Sequence, residues 1–202
     1  MHISEGVLSA PVLLGGAAVA AAGVAVGLKR LGHDRIPQTA ILSSAFFVAS
    51  LIHVPVGVTS AHLILNGLLG AILGWAAFPA ILVALLLQAV LFQFGGLTVL
   101  GVNTATMALP AVLCAWAFRP LLLSGNSRKA ALGGFLCGSL AVFLAGILVA
   151  LALIGTGEAF RTAALAIFLA NLPVTVIEGL VTAAAVVFLG HVKPEILSSA
   201  QT

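Results

Sequence analysis

Met1, His2, His53 and His62 concentrate the metal-coordination chemistry of this sequence. A free α-amine, the amide nitrogen of the second residue and that residue's imidazole Nδ1 close fused chelate rings on one ion. They supply three nitrogens in a plane. An imidazole from elsewhere in the chain completes a square. Square-planar nitrogen sites suit Ni(II) or Cu(II), and Co(II) can be forced into one. Loading such a site releases protons from the amine and the amide. An initiator methionine stays in place ahead of a bulky residue, so His2 is expected to remain second. A histidine at position two is incidental in most proteins, so Met1-His2 gains meaning only from a partner ligand.

Several polar residues interrupt apolar stretches. His53 and His62 flank a Val-Pro-Val-Gly-Val-Thr-Ser-Ala turn. Asn66 follows His62 by four residues, which on a helix puts both on one face. Gln88, Gln93, Asn103, Thr104, Asn171 and Glu178 follow, the last two either side of Pro173. Polar and ionisable side chains in lipid-facing stretches are costly and are functional candidates by default. For His53, ahead of Val-Pro at a span end, an interfacial or packing role is favoured. His62 stands open between a ligand or pathway role and packing. Asn171-Leu-Pro173 reads as a helix kink, and Glu178 is either functional or a hydrogen-bonding tie inside the bundle.

The elements that must position these residues are membrane spans. Apolar residues make up 62% of the 202-residue chain and charged ones 6%, against about 25% charged in soluble domains. The mean hydropathy is +1.28. This balance excludes a cytosolic enzyme, a nucleic-acid reader and a disordered tail. Cys114 and Cys137 lie in apolar runs and suggest neither a disulfide framework nor a Cys-based metal site. From Ile36 to Phe118 there is no Asp, Glu, Lys or Arg, room for about four spans at roughly 20 residues each. Seven helical spans are expected, near 10–28, 39–56, 60–78, 80–94, 97–118, 130–154 and 163–190. Continuous apolar runs favour helices over the alternating pattern of a barrel.

Orientation follows from the cations. Lys29, Arg30, Arg35, Arg119, Arg128, Lys129 and Lys193 fall on one side of a seven-span arrangement, and Arg161 alone falls on the other. The positive side is cytoplasmic, which predicts an outside N-terminus and an inside C-terminus. His53, His62, Gln93 and Asn103 then approach the outer leaflet, where they join the N-terminus in a site opening outward. The expected organisation is one membrane domain: a tail at 1–9, a bundle at 10–190 and a cytoplasmic tail at 191–202. Residues 1–5 show no basic n-region, so the first span is expected to act as an uncleaved anchor. No Walker A sequence is present, so any ATP hydrolysis must come from another chain. In the first span Ala17/Ala21 and Ala18/Ala22 form small-xxx-small pairs, which permit close helix approach inside the bundle or against a partner.

Met1-His2-Ile3-Ser4-Glu5-Gly6, Thr59-Ser60-Ala61-His62-Leu63-Ile64-Leu65-Asn66-Gly67, Gly101-Val102-Asn103-Thr104 with Met107, and Ile177-Glu178-Gly179 together resemble the CbiM/NikM family. These are the substrate-capture subunits of energy-coupling-factor transporters for cobalt and nickel. The resemblance covers nearly the whole chain, and the Met-His-Ile start combined with the Ser-x-His-Leu-x-x-Asn-Gly stretch is its specific part. It implies an all-α polytopic fold in which a six-helix capture core carries one extra N-terminal helix and the tail tucks into the core. It implies as metal ligands the Met1 amine, the His2 amide and imidazole, and the His62 imidazole, with no ligand role for His53. Asn66, Asn103 and Thr104 are expected around that site. The implied cargo is Co2+ or Ni2+, with no tightly bound organic cofactor. The implied partners are a membrane coupling subunit docking on Ala17, Ala18, Ala21 and Ala22, two ATPase subunits and a small accessory membrane subunit, in a prokaryotic inner membrane. The chain departs from the family in ending soon after its last span.

Two other classes compete. A stand-alone metal permease would move the ion on a gradient, and neighbouring genes for ATPases and a coupling subunit would argue against it. An intramembrane metal-dependent hydrolase using His53, His62 and Glu178 would need a glutamate beside the histidines, as in His-Glu-x-x-His, which the sequence lacks.

Overall fold

The computed structural model describes residues 3–51, 53–56 and 59–198, with the backbone alone at 53–56, 59–61, 158 and 167. The chain is almost entirely helical. Helix α1 runs Ala10–Arg30, with Pro11 in its first turn, where no intrahelical donor is needed. Helix α2 follows at Ile36–Ala49, again with proline in its first turn. A two-stranded antiparallel hairpin, β1 (His53–Val56) and β2 (Thr59–His62), comes next. Helix α3 is Asn66–Leu73, and a short 3₁₀ turn, Gly74–Ala76, leads into α4 at Ala77–Phe92. The long helices α5 (Leu100–Leu122), α6 (Ser127–Thr156) and α7 (Arg161–Val192) and the short α8 (Pro194–Ser198) complete the chain.

Five stretches among the described residues are long and apolar enough to cross a bilayer: Ala10–Arg30, Asn66–Phe92, Leu100–Leu122, Ser127–Thr156 and Arg161–Val192. The chain is a multi-pass membrane protein. Five expected spans lie within a few residues of α1, α4, α5, α6 and α7. The expected spans at 39–56 and 60–78 do not match continuous helices. Helix α2 stops at Ala49, and among the described residues the next helical one is Asn66. Pro55 lacks an N–H and pushes Val54 toward extended backbone, and Val54, Val56, Val58 and Thr59 are β-branched. Apolar composition concealed a segment whose local preferences are extended. Pairing of His53 with His62 and Val56 with Thr59 satisfies its backbone across the ladder.

Helix α3 is the axis of the molecule. All eight of its residues are buried, and α5, α6 and α7 pack against it. Its C-terminal carbonyls receive Arg35, whose Nη2 donates to Ile72 O at 3.2 Å. Arg35, expected as a loop cation, is 7% exposed. Gly74 at φ 56° then turns the chain where a side chain would be strained.

Helix α1 lies on the outside of this core against α5 and α4. Ala20, Gly23 and Gly27 are its buried residues, and a Cβ at Gly23 would collide with the Phe78 ring. Ala17, Ala18, Ala21 and Ala22 are exposed. Ala17 also backs onto α5, where a Cβ at Gly101 would stand 2.6 Å from its Cα, so the face that seats α1 in the bundle reaches one member of the alanine pairs.

The cation-bearing helix ends gather at one end of the bundle. Arg30 sits 5.8 Å over the Trp75 ring, and one cavity is lined by Arg30, Trp75, Arg119 and Leu197. An adjoining cavity is lined by Ser127, His191 and Glu195. Asn126 caps α6 there by accepting from the Arg128 and Lys129 amides at 2.9 and 3.2 Å.

Candidate functional site

The N-terminal tail is held inside the opposite end of the bundle. Ile3 and Leu8 are 4% and 8% exposed. Asn103, in the first turn of α5, grips the Ile3 backbone from both sides. Ile3 N donates to Asn103 Oδ1 and Asn103 Nδ2 donates to Ile3 O, each at 3.1 Å. Two residues on, Glu5 N donates to Gly95 O at 3.0 Å and Glu5 Oε1 accepts from Thr98 N at 3.0 Å. Ser9 N donates to Thr156 Oγ1 at 3.2 Å. These bonds tie the tail, through its backbone and the Glu5 carboxylate, to α5, its preceding loop and the end of α6. They fix the path of the chain immediately after residue 2. Met1 and His2 themselves lie outside the described residues.

His62 ends β2 and is 8% exposed. Its Nδ1 stands 3.0 Å from Leu63 O. A carbonyl only accepts, so at this contact Nδ1 is the donor. Metal-binding imidazoles commonly donate their other ring N–H to a backbone carbonyl in this way. His53 stands opposite His62 in the β ladder.

The expectation that His62 and Asn66 share a helix face is corrected. His62 belongs to a strand, Leu65 has left-handed backbone at φ 55°, and Asn66 begins α3. Asn66, fully buried, instead binds the helices around α3: its Nδ2 donates to Met107 O at 3.1 Å and Ala141 O at 3.4 Å. The Thr104 hydroxyl donates to Leu100 O, one turn back in its own helix, at 2.8 Å. Of the three polar residues expected around the site, Asn103 is the one bonded to the described part of the tail. Gln88 donates to Ser50 Oγ at 2.6 Å, tying α4 to the end of α2, and Gln93 closes α4 with left-handed backbone at φ 57°.

Glu178 is fully buried in α7. Its Oε1 accepts from the Ile64 amide and, at 2.9 Å, from the Leu65 amide, which also lies 3.0 Å from Oε2. The carboxylate thus caps the N-terminus of α3, a favourable place for negative charge, two residues beyond His62. The sequence signal was present in a glutamate within an apolar helix, but its target, 113 and 114 residues earlier, was not.

The fold and site define a helical multi-pass membrane protein whose N-terminal tail is buried against the start of α5 and whose helices are interrupted by a histidine-bearing hairpin. The chain belongs to the CbiM family: the sequence profile of that family, described as the cobalt uptake substrate-specific transmembrane region, matches residues 2–196. A protein of Haemophilus influenzae provisionally named a metal transport protein is 45% identical over 98% of this chain and 97% of its own length. A cobalt transport protein CbiM of Sorangium cellulosum is 33% identical over 100% of this chain and 96% of its own. A crystal structure described as a truncated transition metal transporter superposes with a TM-score of 0.72 at 27% identity, covering 96% of this chain and 99% of that one.

Proposed function

We propose that this protein is the substrate-specific membrane subunit that captures Co2+ or Ni2+ for an ATP-driven energy-coupling-factor importer. The observation that carries the reading is the two-point grip of Asn103 on Ile3, which anchors the chain start in the interior. The proposed ligands are the Met1 amine, the His2 amide and imidazole nitrogens, and His62 Nε2. Three contiguous donors on a tethered tail and one imidazole on a braced strand give four nitrogens suited to Ni(II) or planar Co(II). Relatives named for cobalt transport and family membership support the cargo.

In this reading the chain crosses the membrane seven times, N-terminus outside and C-terminus inside, in a prokaryotic inner membrane. Helix α3 is too short to span lipid by itself, at about 12 Å for eight residues. It is enclosed by protein, where a broken helix is tolerated. The collection of Arg30, Arg119, Arg128 and Lys129 at one end supports the cytoplasmic assignment of that end. Ala17, Ala18, Ala21 and Ala22 offer the docking face for the coupling subunit. The ATPases and any accessory subunit are separate chains, and this subunit performs no catalysis.

The test is an added residue before Met1. It replaces the amine by a peptide amide and moves His2 to position three, while every membrane span is untouched. Metal content of the purified subunit, by mass spectrometry, is expected to fall sharply, as it should after His2→Ala or His62→Ala. His53→Ala should be much milder. Equal metal in native and extended proteins would sink the amine-ligand assignment.

A further inference from the structure

Among the described residues Glu178 is the one fully buried carboxylate, and its contacts are directed to one segment. Both oxygens face backbone amides of the segment that follows His62: Oε1 meets Ile64 N and Leu65 N, and Oε2 meets Leu65 N. These two residues carry the chain from strand β2 into helix α3, through the left-handed backbone of Leu65. Their amides precede the helix and have no intrahelical acceptor. Without Glu178 they would be orphaned in the protein interior, and the chain between His62 and Asn66 would have no fixed course.

The helices are cut to bring the carboxylate there. A Cβ at Gly67 would stand 2.6 Å from Gly138 Cα, and one at Gly138 would stand 2.7 Å from Glu178 O. So α3, α6 and α7 stack backbone on backbone at the level of Glu178, a closeness only glycine permits. Cys137 Sγ lies 3.5 Å from Gly67 O in the same layer. The start of α3 is locked from one side by α6 and from the other by Glu178. The other end of the segment is His62, whose Nδ1–H is committed to Leu63 O.

We propose that Glu178 is a positioning residue for metal capture: it fixes the strand-to-helix junction so that His62 Nε2 meets the plane set by the amino-terminal chelate. The inference rests on the proposed role of His62 as the fourth ligand. Asn103 and Glu178 then play matching parts. Asn103 holds the backbone just beyond His2, and Glu178 holds the backbone just beyond His62, so two segments distant in sequence arrive in register. A site whose donors are held in advance loses less freedom on loading.

The test compares Ni(II) affinity and the ligand-field absorption of bound Ni(II) in the full-length subunit and in His62→Ala, Glu178→Ala and Glu178→Gln. Glutamine keeps one acceptor oxygen for the amides but turns its NH2 toward Leu65 N–H, so it tests the second oxygen without opening a cavity. Loss of an outer partner of a metal ligand costs about 10–100-fold in affinity. That range is expected for Glu178→Ala, with a smaller loss for Glu178→Gln. Both should shift the absorption band toward that of His62→Ala as the imidazole withdraws. A structural role alone would lower thermal stability and leave the band of the loaded protein in place. Native affinity and an unshifted band in the Glu178 variants, with His62→Ala impaired, would overturn the positioning role alone. Native binding in His62→Ala would overturn the ligand assignment and the inference with it. Where a variant fails to fold, hydrogen exchange in the unaltered protein decides. The Ile64 and Leu65 amides should be strongly protected, and rapid exchange there overturns the proposal.

Discussion

Replacing Asn103 by alanine removes both of its side-chain bonds to Ile3. The two groups left behind, Ile3 N–H and Ile3 C=O, are enclosed, since Ile3 is 4% exposed and Asn103 2%. A buried backbone group deprived of its partner costs about 1–3 kcal/mol, so a tail that stayed in place would lose roughly 2–6 kcal/mol. The tail has an alternative, which is to leave the pocket and be solvated, so the upper figure is not reached. A loss of about 2–3 kcal/mol corresponds to a roughly 30- to 150-fold drop in the ratio of docked to undocked tail. Apparent metal affinity falls with the docked fraction, so it weakens by up to that factor, and the full loss applies where docked and undocked tails are near balance. Asn103→Asp keeps an acceptor for Ile3 N–H but sets a carboxylate against Ile3 O, and should bind no better than the alanine variant. Thr104→Val is the control, because that hydroxyl bonds one turn back within α5. The assay is calorimetric titration of Co2+ or Ni2+ into the purified subunit, paired with the acylation rate of the terminal amine, which should rise in Asn103→Ala. Wild-type affinity and an unchanged acylation rate in Asn103→Ala would refute the claim that this side chain docks the tail.

The two faces of α1 should separate by mutation. Ala21→Trp or Ala22→Trp should abolish copurification with a coupling subunit while metal stays bound, whereas Gly23→Leu, driven into the Phe78 ring, should lower the melting temperature. Unchanged assembly in every bulky variant at Ala17, Ala18, Ala21 and Ala22 would reassign that face. Ser127→Cys should be labelled by a membrane-impermeant thiol reagent only after the cytoplasmic side is opened. Native Cys114 and Cys137, at 2% and 0% exposure, should give little background. Labelling in intact cells would invert the topology.

The bundle was largely legible because the cost of polar backbone and charge in lipid is written directly into composition. Charge-free runs located α1, α4, α5, α6 and α7 within a few residues, and the cations picked out one end. The segment from His53 to Leu65 was misread as parts of two spans. Its residues are as apolar as a helix, and hydropathy does not distinguish a spanning helix from an extended chain whose backbone is paired in a hairpin. Pro55 and its β-branched neighbours carried the local signal, which the apolar average outweighed. Asn66 was misplaced for the same reason, since the four-residue spacing to His62 has meaning only on a continuous helix.

By itself the sequence determined that this chain lies in a membrane and that most of its cations gather at one end, and it named nitrogens able to bind a metal. Those follow from transfer energies and from the bonding capacity of single residues. The tertiary structure alone decided which polar residue serves which segment. Asn103 meets Ile3 from 100 residues away, Glu178 meets Ile64 from 114, and Asn66 meets Ala141 from 75. Partners that far apart leave no spacing to read. They are chosen by how closely glycine-lined helices approach, and that depends on the whole bundle being packed.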